Sequence, residues 1–173
     1  MVGVLETARE VGPPDWWIAG GVLRDVVWEQ RFGGAAAEIA TKDVDVVFFD
    51  RRDLSRDRDE LVESELVQRK PDVAWDAKNQ AAVHLWYPDR FGVRVPPFGS
   101  VPEAVATWRG YAVCVAVRLA WGAAIEICAP HGLDDLLDGV WRRNPARVTV
   151  LEYERRVVRK QPAARWPGVR VID

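Results

Sequence analysis

A chain of 173 residues is long enough for one well-packed domain and too short for two comfortable ones, so a single domain over residues 1–173 is expected. An apolar share of 49% and a charged share of 29% are typical of a globular protein and exclude a disordered tail. The net charge of −2 gives no overall field to attract nucleic acid, and no apolar run reaches about 18 residues, so a cytoplasmic protein outside the membrane is expected.

The first elements of the chain are a helix, a short strand and a glycine turn. Residues 1–11 place apolar side chains at helical spacing, and the Gly12-Pro13-Pro14 that follows ends this helix. An apolar strand over residues 15–19 runs into Gly20-Gly21, and a second helix covers residues 22–31. Backbone amides at a helix N-terminus hold anions, so Gly20 and Gly21 are candidate phosphate-binding residues.

Arg24 lies in the first turn of that second helix, and two interpretations of it remain open. It contacts a bound phosphate, or it forms an ion pair with Asp25 or a neighbouring acid.

The second strand carries the acids that best indicate chemistry. Asp43 and Asp45 are two residues apart, so a strand presents both carboxylates on one face, about 7 Å apart at a rise of about 3.3 Å per residue. The apolar residues between and after them then face a core: Val44, Val46 and Phe48. Two such carboxylates can share Mg²⁺ or Mn²⁺, and a nearby glycine turn can hold the phosphates that these ions bridge. The combination indicates phosphoryl or nucleotidyl chemistry.

The spacing of the two motifs supports this interpretation. Gly21 and Asp43 lie 22 residues apart (43 − 21), which leaves room for one helix and a short loop between adjacent strands. Lys42 precedes the carboxylates, and either contacts a triphosphate or caps the strand.

A third helix over residues 59–70 ends at Pro71, and a polar cluster follows within an apolar stretch that has no clear pattern. Its members are Asp76, Lys78, Asn79, Gln80 and His84. The amides of Asn79 and Gln80 either contact a base edge or fix the loop around the site. His84 is a general base, a triphosphate contact or a hydrogen-bonded core histidine.

Proline, glycine and aromatic residues over 88–99 predict an ordered surface loop, and Ser100 to Glu103 has the form of a capping box that opens a helix to Trp108. Two β-rich runs, residues 111–119 and 123–129, predict a hairpin.

The hairpin contains two cysteines and one acid in apolar surroundings. Cys114 and Cys128 are expected to be buried free thiols, since no metal-binding spacing is present. Glu126 stands between Ile125 and Ile127 and needs a partner. Arg118, across the hairpin, is one candidate.

The C-terminal third is predicted to be mainly helical. Residues 130–139 form a short helix, and a capping box at Thr149 and Glu152 starts a last helix that ends near Lys160. The tail over residues 161–173 is expected to be extended and anchored by Trp166. Basic residues alternate with apolar ones along the last helix, which favours a solvated face over a nucleic-acid-binding stripe: Arg155, Arg156, Arg159 and Lys160.

The sequence Gly20-Gly21-Val22-Leu23-Arg24-Asp25, followed by Asp43-Val44-Asp45, resembles the signature of the polymerase-β-like nucleotidyltransferase superfamily, especially the head of CCA-adding enzymes and bacterial poly(A) polymerases. Three further stretches resemble a family of small bacterial nucleotidyltransferase-like proteins: residues 75–87, 129–136 and 143–145. The resemblance implies an α+β (mixed α/β) fold, with a nucleotidyltransferase core of mixed sheet flanked by helices and a C-terminal helical extension.

The resemblance also implies a third carboxylate on a strand beside the Asp-x-Asp strand, in an apolar-acid-apolar context. Glu126 and Asp76 both fit this context, and Glu126 is preferred. Asp43, Asp45 and Glu126 would then hold Mg²⁺ or Mn²⁺. The candidate donor-binding residues are Gly20, Gly21, Arg24, Lys42, Lys78, Asn79, Gln80 and His84.

The expected function is therefore metal-dependent transfer of NMP from an NTP to an acceptor hydroxyl, with release of pyrophosphate. The short, mildly acidic chain lacks the RNA-binding domains of CCA-adding enzymes, which favours a small molecule or a protein as acceptor over a long RNA. Two alternatives remain open. One is an inert nucleotide- or partner-binding module with the same fold, and the other is a toxin-type nucleotidyltransferase controlled by an antitoxin partner.

Overall fold

The computed structural model describes residues 1–33, 43–120 and 124–173. The helices found in these ranges are α1 (Val2–Val11), α2 (Gly21–Phe32), α3 (Arg56–Arg69), α4 (Val83–Phe91), α5 (Val101–Ala106), α6 (Asp134–Leu137), α7 (Val150–Lys160) and α8 (Pro162–Arg165). The strands are β1 (Trp17–Ala19), β2 (Val44–Phe48), β3 (Trp75–Asn79), β4 (Ala116–Leu119), β5 (Ile125–Cys128), β6 (Val140–Arg142) and β7 (Arg170–Ile172). None of the described helices is long and apolar enough to cross a membrane.

Strands β1 to β5 form one mixed sheet in the order β3-β2-β1-β4-β5. β2 and β3 run parallel, with α3 as the crossover between them, whereas the other neighbours in this sheet are antiparallel. The register places Ala19 opposite Asp45 and Asp45 opposite Asp76. β6 and β7 form a separate parallel pair. The predicted mixed sheet flanked by helices is confirmed, and the ends of β1, β2 and β3 meet at one level.

The main core lies on one face of the sheet. As predicted, Val44, Val46 and Phe48 point into it from β2. Trp28 of α2 is fully buried there, packs edge-on against Trp166 with ring centroids 5.2 Å apart, and donates its indole N–H to Leu136 O at 2.7 Å. Burial of side chains this large provides much of the stability of a domain of this size. The tail is therefore anchored by Trp166, as expected.

A smaller core covers the opposite face of the sheet and contains Trp17, Val47, Val101, Val105 and Cys114. Ser100 caps α5 by accepting from Glu103 N, but Glu103 Oε2 accepts from Gly99 N, so the predicted capping box forms only in part. The Thr149 capping box of α7 is complete.

Some predicted boundaries are corrected. Residues 111–113 form a 3-10 turn instead of the start of a strand, because the chain has to turn from α5 into β4. Pro88 lies inside α4 and not at the start of the predicted loop, because the helix continues to Phe91, whose ring packs 4.5 Å from that of Tyr87 between centroids. The tail is not simply extended, since it contains α8 and β7.

The β4–β5 hairpin pairs as predicted. Both cysteines are buried free thiols, and burial raises the pKa of Cys114 to about 11.

Candidate functional site

Three aspartates meet where β2 and β3 begin. Asp43 immediately precedes β2, Asp45 is the second residue of that strand, and Asp76 lies opposite Asp45 on β3. Since Val44 and Val46 face the main core, strand alternation directs Asp43 and Asp45 to the other face. All three aspartates line one cleft.

The pKa of Asp45 reflects its burial and the two carboxylates beside it. Burial, followed by repulsion from Asp76 and then from Asp43, raises the pKa of Asp45 from 3.8 to about 7, and Lys78 only partly offsets the shift. The negative charge of the three carboxylates is therefore only partly compensated by neighbouring positive charge. A hard divalent cation with oxygen ligands suits such a set of donors.

Asp76 is held by a neighbouring cation. Lys78 Nζ lies 2.5 Å from Asp76 Oδ1 and donates to Ala77 O at 2.9 Å. In the parts of the chain that the structure describes, no three acidic, histidine or cysteine side chains are already gathered into a metal-binding group. The ion pair with Lys78 engages Oδ1 of Asp76 and competes with its use as a metal ligand or base beside Asp43 and Asp45.

The glycine turn lies directly beside Asp45. Gly20 has a φ of 76°, and a Cβ at this position would lie 2.4 Å from Trp108 Cζ3 and 3.2 Å from Asp45 Oδ2. Only glycine fits such a position without strain. The amide of Gly20 already donates to Val115 O at 3.0 Å, so Gly20 contributes the space that a side chain would fill. Gly21 begins α2 and lines the cleft. The amide of Gly21, at a helix N-terminus, is suited to a phosphate.

The ion-pair interpretation of Arg24 is the one that the structure shows. Its Nε and Nη2 donate to Asp25 Oδ1 at 2.9 and 2.5 Å, and its guanidinium lies 4.9 Å from the ring centroid of Trp141. Burial lowers the pKa of Arg24, which Asp25 opposes. Arg24 also borders the cleft, but its charge is already shared with Asp25.

The cleft contains about 2100 Å³ of atom-free space, part of which is open solvent. Of the other candidate residues, Lys78 and Gln80 line it. Gln80 is buried, and its amide donates to Lys78 O at 3.1 Å. Lys42 lies outside the described residues.

Asn79 is corrected from a candidate ligand contact to a structural residue. It is fully buried, its amide donates to Asp50 O and Asp53 O, and its Oδ1 accepts from Asp50 N and Ala81 N. These bonds fix the loop after β2, which is the second of the two roles considered for the residue. No hydrogen-bonding group of this amide is left to bind a base.

His84 lies on α4 and is not among the described residues that line the cleft, so its role in binding stays a prediction. Its Nδ1 is buried and has no hydrogen-bond partner among the described residues. The adjacent Val83 and the following Trp86 face the cleft instead.

The preference for Glu126 as third acid is corrected too. Glu126 lies on the edge strand β5, three strands away from β2, and its Oε2 accepts from Arg118 Nε at 2.6 Å. Arg118 also bonds Asp15 at 2.8 Å. Asp76, the alternative, is the acid that the sheet places beside Asp45, because β3 pairs directly with β2.

The sequence interpretation missed the basic side of the cleft. Three residues of the last helix that were assigned to a solvated face line the cleft together with Arg109 and Arg147: Arg156, Arg159 and Lys160. The signal available in the sequence was the number of arginines after residue 108, several of which lie outside the last helix.

Comparison with known proteins identifies the type of domain. A nucleotidyltransferase family matches residues 6–171. An NMR structure described as a CCA-adding enzyme head domain is similar over 99% of this chain and 88% of that chain, with 24% identity and a TM-score of 0.80. No curated protein sequence matches the chain.

Larger enzymes share the fold over part of their length. A tRNA nucleotidyltransferase, complexed with a primer tRNA and an incoming ATP analog, is similar over 98% of this chain and 46% of its own, with 17% identity and a TM-score of 0.54. A tRNA-processing enzyme complex is similar over 90% of this chain and 39% of its own, with 19% identity and a TM-score of 0.52. At these identities the likeness shows the fold alone. Because the family match spans nearly all of its length, the chain belongs to the nucleotidyltransferase family.

Proposed function

We propose that the protein transfers NMP from an NTP to an acceptor hydroxyl and releases pyrophosphate, with Mg²⁺ or Mn²⁺ as cofactor. The observation that carries this proposal is the meeting of Asp43, Asp45 and Asp76 beside the Gly20-Gly21 turn, with a raised pKa at Asp45 that indicates uncompensated negative charge. A carboxylate set next to a helix N-terminus suits a metal-bound triphosphate.

Each residue has a distinct role in this reaction. Asp43 and Asp45 hold the cation, and the Gly21 amide binds donor phosphate in space that Gly20 leaves free. A bound divalent cation supplies charge neutralisation at the phosphates. The acceptor oxygen bonds to the α-phosphorus, the bond to the bridging oxygen breaks, and the hydroxyl proton passes to Asp76 after Lys78 releases that carboxylate. Positioning and electrostatics supply most of the acceleration.

One observation favours a second candidate, a module that binds nucleotide without chemistry. Lys78 lies 2.5 Å from Asp76, and pairing with a cation makes a carboxylate a weaker base and a weaker metal ligand. In this candidate Lys78 and Asp76 act together as a fixed wall of the nucleotide site.

We assign a small molecule or a protein as acceptor, in preference to a long RNA, because the net charge of −2 gives no overall field that attracts a polyanion.

Calorimetric titration of each of the four NTPs, with and without Mg²⁺, tests the site. Metal-dependent binding of a nucleotide should be lost in Asp43→Asn/Asp45→Asn and retained in Glu126→Gln, which removes a carboxylate from the far edge of the sheet. If the double variant binds as tightly as the wild type, the assignment of these carboxylates is wrong.

Asp76→Asn separates the two candidates. For the enzyme, pyrophosphate release from the bound NTP, measured across a panel of hydroxyl acceptors, should fall by about two orders of magnitude or more, the usual range for loss of a general base. Binding should change little. If wild-type protein that binds the NTP releases no pyrophosphate with any acceptor, the inert module is favoured.

A further inference from the structure

Besides the carboxylates, the cleft has a strongly basic group of lining residues. We call it the basic wall, and it comprises Arg109, Arg147, Arg156, Arg159 and Lys160. Of the described residues that line the whole cleft, nine are lysine or arginine and four are aspartate, although the protein has a net charge of −2. Positive charge is therefore concentrated at this site, where it attracts anions.

Arg109 and Arg156 are at the centre of the basic wall. Both line the main cleft and also two adjoining cavities with about 860 and 290 Å³ of atom-free space. Neither has an acidic partner within 4.0 Å among the described residues. Burial, together with repulsion from Arg24, Arg109 and Arg159, lowers the pKa of Arg156 to about 10. The guanidinium groups therefore repel one another, with no carboxylate of the described ranges paired to Arg109 or Arg156.

Arg147 supplies a fixed donor to the same wall. Its Nε donates to Thr107 O at 3.1 Å, its Nη2 bonds Thr107 Oγ1, and its guanidinium lies 4.6 Å from the ring centroid of Tyr87. These contacts hold the side chain in place, yet its Nη1 is buried and has no hydrogen-bond partner among the described residues. A buried donor in this state costs free energy, which a bound acceptor would recover.

Two tryptophans that line the cleft show the same feature. The indole N–H groups of Trp86 and Trp166 are buried and have no partner within the described parts of the chain. All these unsatisfied groups are donors, as expected for a site that receives a ligand rich in acceptor oxygens.

We infer that the basic wall is a phosphate-binding subsite, formed by Arg109, Arg147 and Arg156 and separate from the carboxylates. Several guanidinium groups around one cavity match a multiply charged anion, and the planar fork of arginine matches phosphate oxygens. The phosphate belongs either to the donor nucleotide or to a phosphorylated acceptor. Only this choice of source depends on the proposed nucleotidyltransferase function.

Titration of inorganic pyrophosphate without metal, at low salt, tests the subsite. Binding should weaken about tenfold or more in Arg156→Gln, in line with the loss of charge-assisted hydrogen bonds, and less in Arg156→Lys. Arg9→Gln is the matched control, because Arg9 is exposed on α1 and lines none of the three cavities. Thermal melting and circular dichroism establish that each variant is folded.

Asp43→Asn/Asp45→Asn should retain metal-free pyrophosphate binding, so the carboxylate assignment and the phosphate subsite can fail independently. The inference is overturned if folded Arg156→Gln and Arg109→Gln bind pyrophosphate as tightly as Arg9→Gln does, or if wild type binds none.

A second titration with ATP and AMP identifies the source of the phosphate. If the donor occupies the subsite, Arg156→Gln weakens ATP binding and leaves AMP binding unchanged. If a phosphorylated acceptor occupies it, ATP binding is unchanged, and wild type saturated with Mg²⁺ and ATP still binds pyrophosphate.

Discussion

Replacement of Asp45 by asparagine should remove the pH dependence of stability that this residue causes in the metal-free protein. The pKa of Asp45 is about 7 in the folded state, against 3.8 for an unperturbed carboxyl. Below about pH 4, Asp45 is protonated in both the folded and the unfolded state, so it does not make the free energy of unfolding depend on pH. Between these pKa values only the folded state keeps the proton, so the free energy of unfolding falls as pH rises. Above about pH 7, Asp45 is ionised in both states, and the free energy of unfolding falls no further because of it.

The size of the effect follows from the shift. About three pKa units, at about 1.4 kcal/mol each, correspond to about 4 kcal/mol at full ionisation. Between pH 5 and pH 8 the change attributable to Asp45 is about 3 kcal/mol. Asp45→Asn should therefore gain stability over the wild type by about this amount across that range, since an amide carries no charge to bury.

Urea denaturation with a metal chelator, at several pH values from 5 to 8, measures this difference. Glu65→Gln, which removes an exposed carboxylate from α3, is the control and should follow the wild-type curve. If the wild-type and Asp45→Asn curves remain parallel over the whole range, the crowding of Asp45 by Asp76 and Asp43 does not exist in solution.

Addition of Mg²⁺ at pH 8 extends the test to the metal. A ligand at about 100 times its dissociation constant stabilises the folded state by about 2.7 kcal/mol. This gain should appear in the wild type at pH 8, shrink at pH 5 where Asp45 is protonated, and be absent in Asp45→Asn.

Three other substitutions have outcomes set by the structure. Gly20→Ala should lower the free energy of unfolding by about 3 kcal/mol in urea denaturation, because its Cβ meets Trp108 at a positive φ, whereas Gly3→Ala, with open space around it, should raise it by about 0.5 kcal/mol. Asn79→Ala should cost about 2–4 kcal/mol in the same assay and increase hydrogen exchange in the loop after β2, since four hydrogen bonds are lost. Glu126→Gln should cost about 1 kcal/mol or less and leave calorimetric NTP binding unchanged, because its ion pair is only partly buried and does not line the cleft.

The alternation along β2 could be predicted because local geometry determines it. Val44 and Val46 are apolar and Asp43 and Asp45 are charged, and a strand has only two faces. The glycine turn could be predicted as well, because two glycines between an apolar strand and a helix indicate a turn without any tertiary information. Predictions of this kind depend on a few neighbouring residues.

The third acid could not be assigned in this way. Asp76 and Glu126 stand in the same apolar-acid-apolar context, and both lie on strands of one sheet. Only the order of the strands distinguishes them, because β3 pairs with β2 whereas β5 forms the opposite edge. Strand order results from long-range pairing, and the periodicity of one strand contains no information about it.

The basic wall was missed for a related reason. The pattern of α7 separates an apolar side, which includes Tyr153, from a charged side, but it does not show what the charged side faces. Arg156 is half-buried because the cleft lies beside it, and Arg109 and Arg147 reach the same place from loops. Clusters assembled from several elements have no spacing that a sequence pattern can reveal.

The two charged sides of the cleft come from different parts of the chain, yet one group of contacts holds them together. The carboxylates lie on β2 and β3, whereas Arg156 lies on α7 in the C-terminal segment. Arg165, next to α7, pairs with Asp25 and Glu29 of α2 at 3.2 and 3.3 Å. Since α2 begins at the glycine turn beside Asp45, these ion pairs fix the basic wall relative to the carboxylates, and docking of the C-terminal segment is as necessary to the cleft as the sheet itself.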